Sequence, residues 1–270
     1  MVVRARAASF AAAVLAVAVP VLAETVPVKQ EEGLVYGFLA LSTVEGKAIA
    51  DGALIQTSKG NRVTSRLLFQ FRDGSTYDET SVFTQNRRFR LVSNKVVNKG
   101  PTFPKALESS IDMKTGQVTV RYTDDGEEKT ISEKMELPED LANGLILTLL
   151  KNISPETPKT VLPMLAITPK PRMVSLEFTP EGKEPFNTGG LAREAMRYKV
   201  KVDIPGVIGV VASVLDKTPP DSHVWILTGD APAFIMSLSP MYVEGPLWRI
   251  ELVSPTWPKK PPTPPTKGAD

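Results

Sequence analysis

The chain has no cysteine and a single histidine among its 270 residues. Without cysteine there is no disulfide framework, no thiol nucleophile and no thiolate-ligated zinc. A Ser/His/Asp triad would have to use His223, which stands at a strand entrance beside Asp221 and Ser222. Adjacent strand residues point to opposite faces, so these neighbours are poorly placed to join it. No Gly-x-Ser-x-Gly elbow supplies a nucleophile. Excess charge is missing too: the formal net charge is +2. Arg4 and Arg6 account for that excess, so the rest gives no electrostatic footprint for nucleic acid. These absences point away from enzymes, and no cofactor or metal is expected.

What is present begins with a targeting signal. Arg4 and Arg6 precede the uncharged run Ala7–Leu22, and Val21 and Ala23 give a small-x-small cleavage site before Glu24. Residues 1–23 therefore read as a secretory signal peptide, and the chain as exported to the periplasm or beyond. The run is short of the roughly 20 apolar residues that span a bilayer, and Pro20 interrupts its far end. No integral membrane span is expected after cleavage.

Residues 24–254 read as one β-rich domain. In Arg62–Arg72, Val63, Ser65, Leu67, Phe69 and Phe71 share one face, opposite Thr64, Arg66, Gln70 and Arg72. That period of two marks a strand with one buried face. Asp73-Gly74 turns it into Tyr77–Gln85. Phe89–Lys99 follows, with Phe89, Leu91, Ser93 and Val97 alternating against Arg88, Arg90 and Asn94. Ser110–Asp112, Gln117–Thr123 and Glu128–Met135 continue the meander, and Met173–Phe178, Met196–Ile204, Val224–Leu227, Phe234–Leu238 and Trp248–Val253 resume it. Between them, Pro138, Glu139 and Asp140 followed by Leu141, Leu145, Leu149 and Leu150 predict a helix over Glu139–Ile153. Five prolines in Ile153–Pro171 exclude a long helix there and mark 154–171 as a crossing segment or loose boundary. Residues 255–270, rich in proline and lysine, read as an extended, disordered tail. Its Pro-x-x-Pro spacings, Pro258–Pro261 and Pro262–Pro265, suit a spacer or a polyproline-binding partner.

The candidate binding residues lie in Val207–Leu215. Val207, Ile208, Val211, Val214 and Leu215 cover all sides of a two-turn helix. Such a helix is buried or lines something apolar. It fills the concave side of a curved sheet, or it forms the wall of an apolar ligand cavity. Arg87, Arg88 and Arg90 are a second candidate, either for an anionic ligand or as an outward face pairing with Asp78 or Glu79. Asp124, Asp125, Glu127 and Glu128 surround a glycine but lack calcium-loop spacing, and read as a solvated turn.

The layout of meander, helix after Leu137-Pro138, and the ending Val224-Trp225-Ile226 … Gly245-Pro246-Leu247-Trp248-Arg249-Ile250-Glu251-Leu252 resembles a group of uncharacterised exported bacterial proteins, classed as domains of unknown function. The resemblance covers about Val35–Leu252 and transfers no functional residue. It implies a mainly β fold: a long, curved antiparallel sheet, a half-barrel or open barrel, with two helices on its concave side. That shape is similar to periplasmic lipoprotein-carrier half-barrels, which hold acyl chains between sheet and helix. The expected function is therefore a binder or carrier of apolar ligands such as lipids. The alternative is a cell-envelope interaction or assembly module using sheet edges and the proline-rich tail.

Overall fold

A computed structural model describes residues 25–168, 170–188, 190–204 and 219–253. The signal segment, the Val207–Leu215 segment and the tail lie outside the described residues. Fourteen strands form one antiparallel sheet: β1 Val35–Thr43, β2 Ala48–Lys59, β3 Arg62–Phe71, β4 Thr76–Asn86, β5 Arg88–Lys99, β6 Leu107–Asp112, β7 Gln117–Asp124, β8 Glu127–Lys134, β9 Thr160–Ala166, β10 Arg172–Thr188, β11 Leu191–Asp203, β12 Ser222–Leu227, β13 Ala233–Ser239 and β14 Trp248–Leu252. Their order is β8-β7-β6-β5-β4-β3-β2-β1-β14-β13-β12-β11-β10-β9, so β8 and β9 are the free edges.

The predicted faces of β3 hold. Val63, Phe69 and Phe71 are buried, and Arg66 points outward to meet Asp78 of β4 through two hydrogen bonds of 2.9 and 2.6 Å. β5 departs from its predicted alternation. The register slips between Val82 and Phe83, so Phe83 pairs with Leu91 while Val82 pairs with Ser93. Val92 is thus an extra residue, and a bulge of this kind swaps the faces beyond it. Phe89 and Leu91 point inward as expected, but Asn94 and Asn98 replace Ser93 and Val97 on the buried side.

The helix content is a correction. Only one helix occurs among the described residues, the five-residue α1 Ile146–Leu150. The predicted start at Glu139 fails because Gly144 has a positive φ of 66° and Asn143 spends its side chain elsewhere. Leu141–Leu145 instead follow a chain of turns, with the N–H of Leu141 donating to the Pro138 carbonyl and that of Leu145 to Ala142. The predicted second helix, over Val207–Leu215, falls outside the described residues.

Residues 138–153 form a plug that explains the curvature of the sheet. Leu141, Leu145, Leu149, Leu150 and Ile153 are all buried in the main core. On one side the plug meets β4 and β5, where Gly144 lies on Ser81 and Asn94 and Glu139 ion-pairs with Arg90. On the other it meets β9 and β11. The Ala142 N–H donates to the Pro163 carbonyl at 2.9 Å, and the Tyr198 hydroxyl donates to the Ile153 carbonyl at 3.2 Å. One short segment can touch strands so far apart in the order only if the sheet curls round it.

The edge strand β9 was not anticipated, because Pro163 lies inside it. Proline is tolerated on an edge, where the missing N–H leaves no ladder bond unmade. The plug covers that edge. Asn143 accepts from the Leu165 N–H at 2.8 Å and donates to the Leu165 carbonyl at 2.9 Å, as a neighbouring strand would. At the opposite edge β8 stays open but carries Glu127, Glu128, Lys129 and Lys134, all exposed, which discourages edge-to-edge pairing.

Candidate functional site

Strand order and antiparallel pairing put alternate turns at opposite ends of the sheet. One end is held by the strap Val26–Gly33. The Val28 N–H donates to the Arg87 carbonyl, and the N–H groups of Lys29 and Gln30 donate to Asn152 Oδ1 at 2.8 and 2.7 Å. Glu32 and Gln85 bond reciprocally: the Glu32 N–H donates to the Gln85 amide oxygen, whose amide nitrogen donates to the Glu32 carbonyl. The Glu32 carboxylate accepts from Gln56 at 2.7 Å and lies 2.5 Å from the ammonium of Lys151, with both side chains largely out of water.

The other end carries the β3–β4, β5–β6, β11–β12 and β13–β14 turns. Phe71, Phe103, Tyr242 and Trp248 pack there with ring centroids 5.4–5.8 Å apart. Phe103 is placed by a pinned loop: the Thr102 N–H donates to Ser75 Oγ at 2.9 Å, and the Thr102 hydroxyl donates to Asp73 at 2.7 Å. The candidate cavity residues Val207, Ile208, Val211, Val214 and Leu215 lie outside the described residues.

Between the two ends, the concave face of β4–β6 is unexpectedly polar. Tyr77, Glu79 and Ser81 on β4, Asn94 and Asn98 on β5, and Ser109 on β6 all face inward. Glu79 accepts from the Tyr77 hydroxyl at 3.1 Å and from the Asn94 amide at 2.9 Å, and Asn94 also donates to Ser81 at 3.0 Å. Burial pushes the Glu79 carboxyl up against the opposing pull of these two donors, and burial beside Glu79 pushes the Tyr77 hydroxyl well up. The sequence offers Asp78 or Glu79 as outward partners for Arg87, Arg88 and Arg90; Glu79 instead faces inward, and Asp78 pairs with Arg66.

The direction of the Glu79 shift makes a prediction. A carboxyl raised in the folded state binds its proton more tightly there than when unfolded. Its charged form therefore costs stability above the folded pKa, and that cost fades as the pH falls through it. Glu79→Gln should raise the urea midpoint at pH 7, and the gain should shrink towards pH 4. A gain that is the same at both pH values would show that the charge on Glu79 is not the cause.

The other sequence candidates resolve into surface pairings. Arg87 occupies the β4–β5 turn at φ 60°, Arg88 bridges through its backbone to Pro27, and Arg90 holds Glu139. Asp124 lies 3.0 and 2.8 Å from Lys105 and Lys129, whose hydrogen bonds lower its carboxyl to about 2. Asp125 makes the turn at φ 52°, and Glu128 pairs with Arg121. Among the described residues no three His, Asp or Glu side chains gather to hold a metal ion. None of the helices among them is long and apolar enough to cross a membrane.

His223 faces outward from β12, its Nε2 3.4 Å from Glu181. Beside it the Trp225 indole donates to Glu184 at 2.7 Å, and Arg197 lies over the Trp225 ring while pairing with both glutamates. The Trp225 and Arg197 hydrogen bonds hold the Glu184 carboxyl below its ordinary range. This is a cross-strand network in which His223 contacts a carboxylate, the geometry of a surface ion pair.

No family model matches the chain, and no curated protein matches it. Among solved structures it is similar to the crystal structure of a β-barrel-like protein of domain of unknown function DUF1849 from Brucella abortus. The TM-score is 0.43 at 10% identity, over 82% of this chain and 98% of that one.

Proposed function

We propose that the protein is an exported, non-enzymatic binding protein that holds an apolar ligand, such as a lipid or acyl chain, on the concave side of its sheet. The observation that carries this reading is the plug. The sheet curls round an apolar stretch of its own chain, burying Leu141, Leu145 and Leu150 to 2% exposure or less. A sheet that sequesters one apolar chain has the shape and lining to receive another beside it. Val207, Ile208, Val211, Val214 and Leu215, which fall between β11 and β12 in the sequence, are the apolar residues proposed to meet the ligand.

Delipidated protein should bind a fluorescent fatty acid with a dissociation constant in the micromolar range or tighter. Val211→Asp should abolish that binding while leaving the thermal midpoint in place. Folded wild-type protein that binds none would contradict the proposal.

A second reading, an envelope interaction module, is favoured by one feature. β10 and β11 run past their neighbours: β9 pairs only up to Phe178 and β12 only from Ala195. Gly182–Glu194 thus projects as a two-stranded ribbon whose outer edges pair with no other strand among the described residues, the geometry used to recruit a partner's strand.

A further inference from the structure

The concave face of β4–β6 holds polar atoms that have no partner among the described residues. Asn98 is 5% exposed and Ser109 1%, yet Asn98 Oδ1 and Ser109 Oγ make no hydrogen bond there. Leaving such groups buried and unmet costs about 1–3 kcal/mol each, so native proteins rarely do so without an occupant. The two belong to one place. Val96 pairs with Glu79 on one side and with Ser109 on the other, and Asn98 pairs with Tyr77 one step along the same face. Glu79 and Ser109 therefore flank Val96 as its direct cross-strand neighbours, and Asn98, two residues along β5 on the same face, lies diagonal to both, so that the three border one patch of the face.

We infer that this face carries a polar subsite for an uncharged, hydroxyl-bearing group, framed by Glu79, Asn98 and Ser109, which receives the head of an otherwise apolar ligand. The inference rests on the apolar-ligand reading and adds a chemical class to it. A hydroxyl suits the three residues: it can donate to the Asn98 carbonyl oxygen or to Glu79, and accept from the Ser109 hydroxyl. An anionic head does not suit them. Arg66 of β3, Lys95 of β5 and Arg121 of β7 lie on the convex face and are paired with Asp78 and Glu108, while the inward acid is Glu79. A cationic head could donate to Glu79, Asn98 and Ser109, but its charge would have to leave water for a buried face. Burial, which favours the protonated carboxyl of Glu79, also favours a neutral guest.

The test compares two ligands with the same chain: 1-monooleoylglycerol, which carries free hydroxyls, and methyl oleate, which carries none. Each displaces a fluorescent fatty acid from delipidated wild-type protein and from the Ser109→Ala and Asn98→Leu variants. Wild-type protein should prefer the monoacylglycerol by about tenfold or more, the value of one well-made buried hydrogen bond. Both variants should lose that preference and keep their affinity for methyl oleate. Ser109→Ala removes one oxygen only, so it keeps the test valid if Asn98→Leu fails to fold. Equal affinity of wild-type protein for the two ligands, the result expected if only water occupies the subsite, overturns this inference alone. Binding of neither overturns the apolar-ligand reading and this inference with it.

Discussion

Gly144→Ala should destabilise the protein by about 4 kcal/mol, the sum of a left-handed backbone imposed on alanine and a steric clash in a packed interior. Gly144 sits at φ 66°, and a Cβ added there would overlap Ser81 Oγ and lie 2.7 Å from Asn94 Nδ2. Neither neighbour can yield easily, because Ser81 and Asn94 are bonded to each other and Asn94 is bonded to Glu79. The substitution therefore does more than strain one turn. It pushes the plug off β4 and β5, and with it Asn143 off the β9 edge. Urea denaturation followed by tryptophan fluorescence measures the loss. A destabilisation below 1 kcal/mol would mean that the plug is not seated where this contact puts it.

Lys151→Met should cost about 3–5 kcal/mol, because it strands the Glu32 carboxylate in a nearly dry site with one donor, Gln56. The ion pair joins the end of α1 to the strap, and Asn152 next to it takes two strap N–H groups. Losing Lys151 should therefore free the strap as well, and raise hydrogen exchange at Lys29 and Gln30. Adding Glu32→Gln should restore most of the loss, since it removes the unpaired charge while an amide oxygen can still accept from Gln56. If the double variant is no more stable than Lys151→Met, the cost comes from lost packing of the lysine stem and not from the charge.

These two contacts show which parts of the fold were legible in the sequence. Alternation alone gave the strands of the meander, because a half-buried strand writes its two faces into every other residue. β3 is the clearest case, with Val63, Phe69 and Phe71 buried as read. Two features broke the code. The extra residue Val92 shifts the register of β5, so reading straight through it put Asn94 on the solvent side and hid the polar wall. The prolines of 154–171 read as a crossing segment or loose boundary, but the segment holds the edge strand β9, whose partner on its outer side is the amide of Asn143. The helix was over-read for a related reason. The leucine spacing in Leu141–Leu150 is helical and all of it is buried, but burial inside a curled sheet asks only for apolar residues on every side. Gly144 and Asn143 then fit the segment to the sheet and leave α1 one turn long.

The candidate site divides in the same way. The apolar run Val207–Leu215, proposed to meet the ligand, is visible as composition. The polar wall of Tyr77, Glu79, Asn98 and Ser109 depends on which strands meet and in which register, and no local pattern records that. A cross-strand list of inward-facing polar residues, drawn after the bulge is placed, is the signal that finds it.

The central claim is that the concave side of this sheet holds an apolar ligand. Native mass spectrometry of the protein purified from its own cell envelope tests it most directly. The account predicts a species heavier than the chain by the mass of an acyl-containing molecule, lost on organic extraction and regained on incubation with lipid extract. A spectrum showing only the bare chain, before and after that incubation, would contradict it.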